Sequence, residues 1–430
     1  MHPKYRNSWG ENDMATKTNT IHPSSDAMKT IYPILLIISM VHLLNDTIQF
    51  IVPSLFPILK DSLSLNFSQI GLISLMINLT AAVMQPAIGI YTDNRPKPKM
   101  LPIGMLFTLI GVVALAYADH FWVVMLAVML IGLGSAVFHP ESARVSFIAA
   151  GPKKGMASSI FQFGGFIGQA IAPVITAFLF VRTGQQGVVW LAILVCIGFI
   201  AQFYVAGWYG RRLSPAKKTD APREATPMVQ TVSKGYVILA ITILMILVFS
   251  KNLYVAAISS YYAFFAIDRF GVSMAQAQII LFVFLAANVI GLMLGGLLAD
   301  RFSKLSLIWF SILGTAPFSL LLPYSNLTFS VIWIFMAGMI LASSFSVIMV
   351  YANDLLPGKI GLVSGIFFGL AFGLGGIGSA ILGNLADSTS IDFVIYCCAY
   401  LPLIGLLTIF LPSDKKMRAS VREAGKSSIA

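Results

Sequence analysis

The chain has 430 residues, of which 57% are hydrophobic and only 10% are charged, and its mean hydropathy is +0.85. Soluble domains carry about a quarter charged residues, so this composition excludes an assembly of soluble domains. Twelve membrane spans of about 20 residues would need about 240 residues, which is close to the apolar share. We therefore predict an all-α membrane protein. The long apolar blocks exclude a β-barrel, whose short strands alternate.

Polar segments and apolar blocks follow one another in a regular order. A polar segment at 1–30 has no apolar core, which predicts a tail and not a signal peptide. We predict a six-helix bundle over 31–208, a polar linker over 209–234, a second six-helix bundle over 235–412 and a basic tail over 413–430. The first six blocks lie near 32–59, 69–92, 100–118, 121–147, 155–181 and 187–208. The other six lie near 235–266, 276–299, 305–323, 328–355, 360–385 and 391–412.

Lysine and arginine are distributed unevenly over the predicted loops. If the first tail lies inside, 24 of the 28 basic residues lie in inside segments. The other four are Lys60, Arg182 and Arg269 in outside loops and Lys251 within a block. Positive charge favours the cytoplasmic side, so we predict both termini and the linker in the cytoplasm, with the bundles in the cytoplasmic membrane. Because the net charge of +11 is spread over all inside loops, it does not indicate nucleic-acid binding.

Motifs for metal, cofactor or hydrolytic chemistry are missing from the sequence. The three cysteines, Cys196, Cys397 and Cys398, lie within apolar blocks and form no CxxC pair. There is no HExxH and no GxSxG motif. We therefore expect no enzyme activity, no metal and no cofactor, and an intramembrane enzyme is only a remote alternative.

The two halves of the chain repeat one another. A Gly-x-x-x-Asp element followed by arginine ends the second block and again the eighth, and its two aspartates are 207 positions apart. The segment that begins at Gly155 matches the segment that begins at Gly361, an offset of 206. Two segments with nearly the same offset indicate duplicated bundles, as in transporters that alternate between two states. The residues of the repeated element are Gly89, Asp93 and Arg95 in the first copy and Gly296, Asp300 and Arg301 in the second.

The repeated element resembles the signature of the major facilitator superfamily. Four longer strings, at 42–49, 137–145, 249–254 and 258–264, resemble its fosmidomycin-resistance branch, and the likeness covers about 30–412. The resemblance implies proton-driven efflux of small drugs, with the phosphonate antibiotic fosmidomycin as the namesake substrate, and hence antibiotic resistance. It also implies that the repeated element latches the closed cytoplasmic face. A carboxylate at a helix end can cap a neighbouring helix and pair with arginine, which fits that role.

The first block carries a polar stripe. His42, Asn45, Asp46 and Gln49 are spaced i, i+3, i+4 and i+7, which places them on one helical face. His42 lies about 16 Å from a helix start near Ile31, at mid-membrane. Such a stripe should face a water-filled substrate cavity, where Asp46 can carry a proton and His42 can tune it. The alternative is a satisfied hydrogen-bond network between helices.

The fourth block contains a second group of charged and polar residues. His139, Glu141 and Arg144 lie within six positions, and Glu141 and Arg144 can pair on one face because they are three residues apart. Glu141 is the second candidate for proton coupling, while His139 and Arg144 are candidates for the cavity wall. The alternative is a static salt bridge with the arginine reaching towards the cytoplasm.

Lys251 is the lysine that lies deep in an apolar block. Tyr254 and Tyr261 fall on or near its helical face. A cation beside aromatic hydroxyl groups suits an anionic group such as a phosphonate. The alternative is that Lys251 is the charge partner of Asp46 across the cavity, and the two roles are compatible.

These features together predict a monomeric secondary transporter with a small-molecule substrate, protons and membrane lipid as its partners. We predict proton-coupled antiport by alternating access. The alternative is a proton-coupled uptake symporter for a small anionic metabolite, because the same residues would serve transport in either direction.

Overall fold

The computed structural model describes residues 29–94, 96–213, 234–299, 301–355 and 360–411, so most of both tails and of the linker lie outside the described residues. In this part of the chain, nine helices are long and apolar enough to cross a membrane, and two shorter apolar helices cover Met100–Ala116 and Leu327–Ala342. With the 29-residue helix Ile360–Ser388, these make twelve spans. The predicted twelve-helix, all-α fold is confirmed.

Six spans form the N-terminal bundle. Two of them are irregular near prolines: α1 breaks at Leu55 between Pro53 and Pro57, and α5 ends in a π-helical turn soon after Pro173. Proline lacks the backbone donor that a regular helix needs, which explains both irregularities. The spans are α1 (Tyr32–Ser54, then Phe56–Leu63), α2 (Phe67–Asn94), α3 (Met100–Ala116), α4 (Phe121–Ala149), α5 (Lys154–Ile175, then Thr176–Phe180 and Val181–Thr183) and α6 (Gln185–Trp190, then Leu191–Leu213).

The other six spans form the C-terminal bundle, which begins with the longest helix of the described chain. The tenth span is broken at Ser343 and Ser344, between its two helical segments. The spans are α7 (Lys234–Phe270), α8 (Met274–Ala299), α9 (Lys304–Leu313, then Ala316–Leu321 and Leu322–Tyr324), α10 (Leu327–Ala342, then Phe345–Leu355), α11 (Ile360–Ser388) and α12 (Ile391–Ala399, then Leu401–Phe410).

Glycines allow the helices of each bundle to approach closely. A Cβ atom at Gly164 or Gly168 of α5 would overlap main-chain atoms of α1. A Cβ atom at Gly291 or Gly295 of α8 would overlap main-chain carbonyl groups of α10. Both pairs have the small-xxx-small spacing that lets backbones pack tightly where no hydrophobic effect drives association. The close packing of these helices therefore depends on the positions of glycine.

The two bundles meet where α2 begins and α11 ends, which we call the outer end because the charge distribution predicts that it faces outside. Asp387 of α11 lies across from the first turn of α2 in the other bundle. Its carboxylate accepts hydrogen bonds from the backbone N–H groups of Phe67 (2.8 Å) and Ser68 (2.7 Å) and from the Ser68 hydroxyl group (2.5 Å). A carboxylate satisfies the free N–H groups of a helix N-terminus and interacts favourably with its dipole. The outer end is thus closed by a helix cap that one bundle supplies to the other.

Small residues bring α2 and α11 into contact below this cap. A Cβ atom at Gly71 would lie 2.6 Å from the carbonyl oxygen of Ser379, and one at Gly383 would overlap the backbone of Phe67. The Tyr261 hydroxyl group of α7 donates a 2.6 Å hydrogen bond to the same Ser379 oxygen. The closure of the outer end therefore combines one charged cap with close backbone packing.

Substitution of Asp387 should open the outer end. Asp387→Ala removes three hydrogen bonds across the interface between the bundles, and loss of a helix cap costs about 1–2 kcal/mol. In a background without the native cysteines, a cysteine at buried Ser74, one turn deeper than Gly71, should react about tenfold faster with an impermeant maleimide added outside.

Asp268→Ala is the matched control, because the exposed Asp268 lies near the outer end of α7 and makes no hydrogen bond or ion pair to a described residue. Equal labelling rates in the Asp387 variant and this control would show that the cap does not hold the outer end closed.

Candidate functional site

The polar stripe of α1 is buried against two helices of its own bundle. All four side chains are at most 7% exposed. The Gln49 side chain accepts a 2.7 Å hydrogen bond from the Ser135 hydroxyl group of α4. The Asn45 amide group lies 3.1 Å from Asp46 Oδ1 and 3.4 Å from Ser135 Oγ. The stripe therefore forms a hydrogen-bond network inside the N-terminal bundle.

Two histidines approach Asp46 from different helices, and we call His42, Asp46 and His139 the acid cluster. His42 Nε2 lies 3.5 Å from Asp46 Oδ1, and His139 Nε2 lies 3.6 Å from the same oxygen. The other carboxylate oxygen, Oδ2, accepts a 3.0 Å hydrogen bond from the Gln169 amide group of α5. The three side chains lie near the middle of the membrane, since Asp46 is about 21 Å along α1 from Tyr32.

The opposite ring nitrogen of each histidine faces a main-chain carbonyl group. His42 Nδ1 lies 2.7 Å from the Phe161 oxygen, and His139 Nδ1 lies 2.9 Å from the Ser135 oxygen. A carbonyl oxygen can only accept, so both Nδ1 atoms must carry hydrogen. The His42 ring is also stacked on Phe161, with ring centroids 4.1 Å apart. Both rings are thus held in one orientation, with Nε2 directed towards Asp46.

This orientation determines the protonation that the acid cluster needs. When both histidines are neutral, each Nε2 atom presents a lone pair, and both lone pairs face the same carboxylate oxygen. That arrangement is repulsive unless a proton lies on one Nε2 atom or on Asp46. The distances are slightly longer than a hydrogen bond, so a small shift of either ring suffices to bind the proton. The geometry of the acid cluster therefore allows one proton to be shared among three side chains.

The acid cluster also has the donor atoms of a metal site. Its three possible ligand atoms lie within 4.8 Å of one another. Two imidazoles and a carboxylate suit divalent transition metals. However, the Asp46 oxygens already accept hydrogen bonds from Asn45 and Gln169. A shared proton explains the geometry without a metal, so the expectation of no metal stays a prediction.

Glu141 and Arg144 form a pair in α4, on the side of the acid cluster that lies away from the outer end. Arg144 donates a 3.0 Å hydrogen bond to buried Glu141 and also binds Thr92 of α2 through its carbonyl oxygen (2.9 Å) and its hydroxyl group (3.3 Å). The hydroxyl group of Tyr209, on α6, lies 3.4 Å from the same arginine. The pair therefore joins three helices at the inner end of α2.

Lys251 occupies the C-terminal bundle, about 26 Å from Lys234 in a helix about 56 Å long, so it too lies near mid-membrane. Its Nζ atom donates a 2.9 Å hydrogen bond to the Ser344 hydroxyl group at the break in α10. Tyr254 is completely buried within the bundle, while Tyr261 lies at the outer closure. The structure therefore places Tyr261 at the outer closure, away from the contact between Lys251 and Ser344.

Only part of the predicted latch lies within the described residues. Gly89 packs near Pro140 of α4, with a Cβ atom placed 3.7 Å from the proline Cβ, and Gly296 faces open space. Arg301 is exposed. Arg95, Asp300 and the side chain of Asp93 lie outside the described residues, so the latch stays a prediction.

The sequence alone did not identify several partners of these groups. They are Ser135, Phe161 and Gln169 around the acid cluster, Ser344 beside Lys251, and Asp387 at the outer closure. A glutamine within an apolar block is a signal that could have identified Gln169. The partner at Phe161 is a main-chain carbonyl group. Every residue type has one, so no residue type in the sequence indicates this contact.

Two six-helix bundles, each with an ionisable side chain near mid-membrane, define a membrane transporter.

A model of the Major Facilitator Superfamily matches residues 35–273 and 244–429 of this chain. The chain is 45% identical to the Fosmidomycin resistance protein of Escherichia coli (strain K12), over 91% of this chain and 96% of that protein. It is 44% identical to an uncharacterized MFS-type transporter of Bacillus subtilis (strain 168), over 90% of this chain and 95% of that protein. A bacterial homologue of the human lysosomal transporter Spinster has the same fold, with a TM-score of 0.68 at 16% identity over 93% of this chain and 97% of that one.

The chain belongs to the major facilitator superfamily. The predicted resemblance to the fosmidomycin-resistance branch is confirmed. The protein is a multi-pass membrane transporter for a small molecule and not an enzyme.

A methyl group added at Gly165 should disrupt the acid cluster. The new Cβ atom would lie 2.6 Å from His42 Nε2 and 3.0 Å from Asp46 Oδ2. Overpacking costs about 1–3 kcal/mol, whereas alanine gains at most about 1 kcal/mol of helix propensity over glycine. Gly165→Ala should therefore lower the thermal unfolding temperature and reduce transport.

Gly155→Ala in the same helix is the control, because nothing lies within 4 Å of its added Cβ atom. Its unfolding temperature should stay the same or rise. If both variants unfold and transport alike, the space beside the cluster is not needed.

Proposed function

We propose that this protein is a proton-coupled antiporter that exports small anionic drugs, including fosmidomycin-like phosphonates, from the cytoplasm by alternating access. We place it in the cytoplasmic membrane as a monomer with both termini inside, in accord with its charge distribution. The observation that carries the proposal is the acid cluster, where two imidazole nitrogens of fixed orientation face one buried carboxylate oxygen.

Proton binding changes the charge of this cluster inside the membrane. With both imidazoles neutral, the cluster carries one negative charge, and one bound proton makes it neutral. A charge at the bilayer centre costs about 2.5–3.5 kcal/mol on insertion scales, so the two forms have different free energies in different surroundings. His139 is the member of the cluster with the most exposed side chain, at 23%. It can pass protons between Asp46 and water, and proton binding can thereby bias the inward and outward states.

The proposed substrate class rests on two independent grounds. The Escherichia coli relative, 45% identical, is named for resistance to fosmidomycin. In the C-terminal bundle, the ammonium group of Lys251 has the charge that an anionic drug needs. We assign Asn45 and Gln49 to the support of the acid cluster, to which His42 itself belongs. We assign Tyr254 to the packing of the C-terminal bundle and Tyr261 to the outer closure.

Glu141 and Arg144 serve a different purpose in this proposal. Glu141 is completely buried and pairs with an arginine that bridges α4 and α2 near the repeated element. We propose that this pair and the latch residues hold the inner ends of the helices together, while the acid cluster carries the transported proton.

Substitution of Asp46 should separate proton coupling from transport. Inverted membrane vesicles with an acid interior should accumulate labelled fosmidomycin when they contain the unaltered protein. Asp46→Asn removes the charge but preserves the shape of the side chain, so accumulation should fall to the level without a pH gradient. Exchange of labelled for unlabelled fosmidomycin without a gradient should persist.

Asp61→Asn is the matched control, since Asp61 is exposed in the second segment of α1, Phe56–Leu63, far from the acid cluster. Unaltered pH dependence in the Asp46 variant would rule out the coupling role. Accumulation only in right-side-out vesicles would instead show uptake and reverse the proposed direction.

Substitution of Glu141 should affect stability more than coupling. Glu141→Gln replaces a charged hydrogen-bond acceptor of Arg144 by a neutral one, and hydrogen bonds to charged groups contribute about 1.5–3 kcal/mol. The thermal unfolding temperature should fall, while the pH dependence of fosmidomycin accumulation stays that of the unaltered protein. Loss of coupling without loss of stability would make Glu141 the proton carrier.

A further inference from the structure

Lys251 is a cation without a carboxylate partner in the described part of the chain. Among the described residues it makes one hydrogen bond, to the Ser344 hydroxyl group, although an ammonium group has three donors. The side chain is only partly buried. Because an ammonium group facing lipid at this depth is costly, we infer that the exposed part of the side chain faces the interior between the bundles. A cation that faces the interior with unused donors is suited to binding an anion.

Two serine hydroxyl groups extend this cation into a polar group. Ser344 Oγ lies 2.9 Å from Lys251 Nζ and 2.5 Å from Ser311 Oγ on α9. Ser311 also lies 3.0 Å from the Ile308 carbonyl oxygen, to which its hydroxyl group can donate. Ser344 sits where α10 breaks between its two helical segments. Ser311 has one hydrogen, so when it donates to Ser344 instead of Ile308, the Ser344 oxygen accepts from both neighbours and its own hydrogen is free to donate. Both serines are buried in this state, so a ligand reaches Ser344 from the side of Lys251.

The repeat places this group at the level of the acid cluster in the other bundle. Lys251 and Asn45 are 206 positions apart, which is the offset between the repeated segments beginning at Gly155 and Gly361. The helices that carry them, α1 and α7, contact one another. Duplicated bundles put their substrate sites at the interface between the repeats, near the membrane midplane. A ligand bound to Lys251 therefore lies at the depth of the proton site.

We propose that Lys251 and Ser344, supported by Ser311, form a subsite for a tetrahedral oxyanion, namely the phosphonate group of the substrate. This subsite rests on the proposed export of anionic drugs. It specifies the chemical group that the protein recognises and the residue that selects this group. An ammonium group acts as a point charge with rotatable donors, whereas a planar carboxylate is matched best by the fork of arginine. A phosphonate offers three oxygens, so it can accept from Lys251 and Ser344 at once. Ser344 is the specificity determinant, and Ser311 positions it.

Binding of labelled fosmidomycin to the purified full-length protein in detergent tests this subsite. Ser344→Ala should weaken binding about tenfold, and Lys251→Met should weaken it by more, because hydrogen bonds to a charged group are lost. Ser311→Ala should have a smaller effect. Methylphosphonate should displace labelled fosmidomycin from the unaltered protein, whereas acetate at the same concentration should not.

Ser343→Ala is the matched control, because this neighbouring hydroxyl group bonds to the Ile340 carbonyl oxygen at 2.7 Å. It should bind fosmidomycin like the unaltered protein, and the thermal unfolding temperature of every variant should show that it is folded. The subsite is wrong if Ser344→Ala and Ser343→Ala bind alike, or if acetate competes as well as methylphosphonate.

Failure of the proposed function has a different signature. If methylphosphonate binds in a Lys251-dependent manner but no pH gradient drives fosmidomycin accumulation in vesicles, the oxyanion subsite stands and proton-driven export does not. If a pH gradient drives accumulation equally in the unaltered protein and in Lys251→Met, export stands and the subsite is overturned.

Discussion

The cost of an unpaired charge in the membrane interior is the constraint on which the rest of this structure depends. Insertion scales set it at about 2.5–3.5 kcal/mol for a side chain at the bilayer centre. The protein meets it in three ways. Asp46 shares its negative charge with two imidazoles and two amide groups, and Glu141 is paired with Arg144. Among the described residues, Lys251 has serine hydroxyl groups and no carboxylate within hydrogen-bond distance. In our proposal, the compensating charge at Lys251 comes from a ligand.

Glycine at a few positions makes these polar contacts possible. Gly164, Gly165 and Gly168 on α5 bring that helix so close to α1 that the Phe161 carbonyl group and the Gln169 side chain reach the stripe. With larger residues the helices would move apart, and His42 would lose the acceptor that fixes its ring. The orientation of the acid cluster is therefore a consequence of backbone packing as much as of the titratable residues themselves.

Sequence periodicity predicted the fold and placed the polar stripe of α1 on one helix face. The apolar blocks and the polar stripe are local patterns, and they correspond to observed helices and to one face of α1. The contact between Asp387 and Ser68 joins residues 319 positions apart, so it depends on how the bundles are arranged and leaves no local pattern. Helical spacing likewise placed Tyr254 on or near the face of Lys251, but it gave no sign that packing within the bundle buries the Tyr254 ring. Spacing on one helix indicates which face a residue occupies but not which helix covers that face.

In this proposal, the free energy needed to open the outer closure is similar to the free energy that one proton supplies through the acid cluster. Opening the outer end breaks the Asp387 cap and separates α2 from α11, so the cycle must supply that free energy and recover it on closure. One unit of pH difference across the membrane supplies about 1.4 kcal/mol per proton, which is similar to the value of one helix cap. A closure built from a larger apolar surface would be too stable for one proton to open. A charged cap on a glycine-lined contact is weak enough to be broken and specific enough to re-form, which is what alternating access requires of a gate.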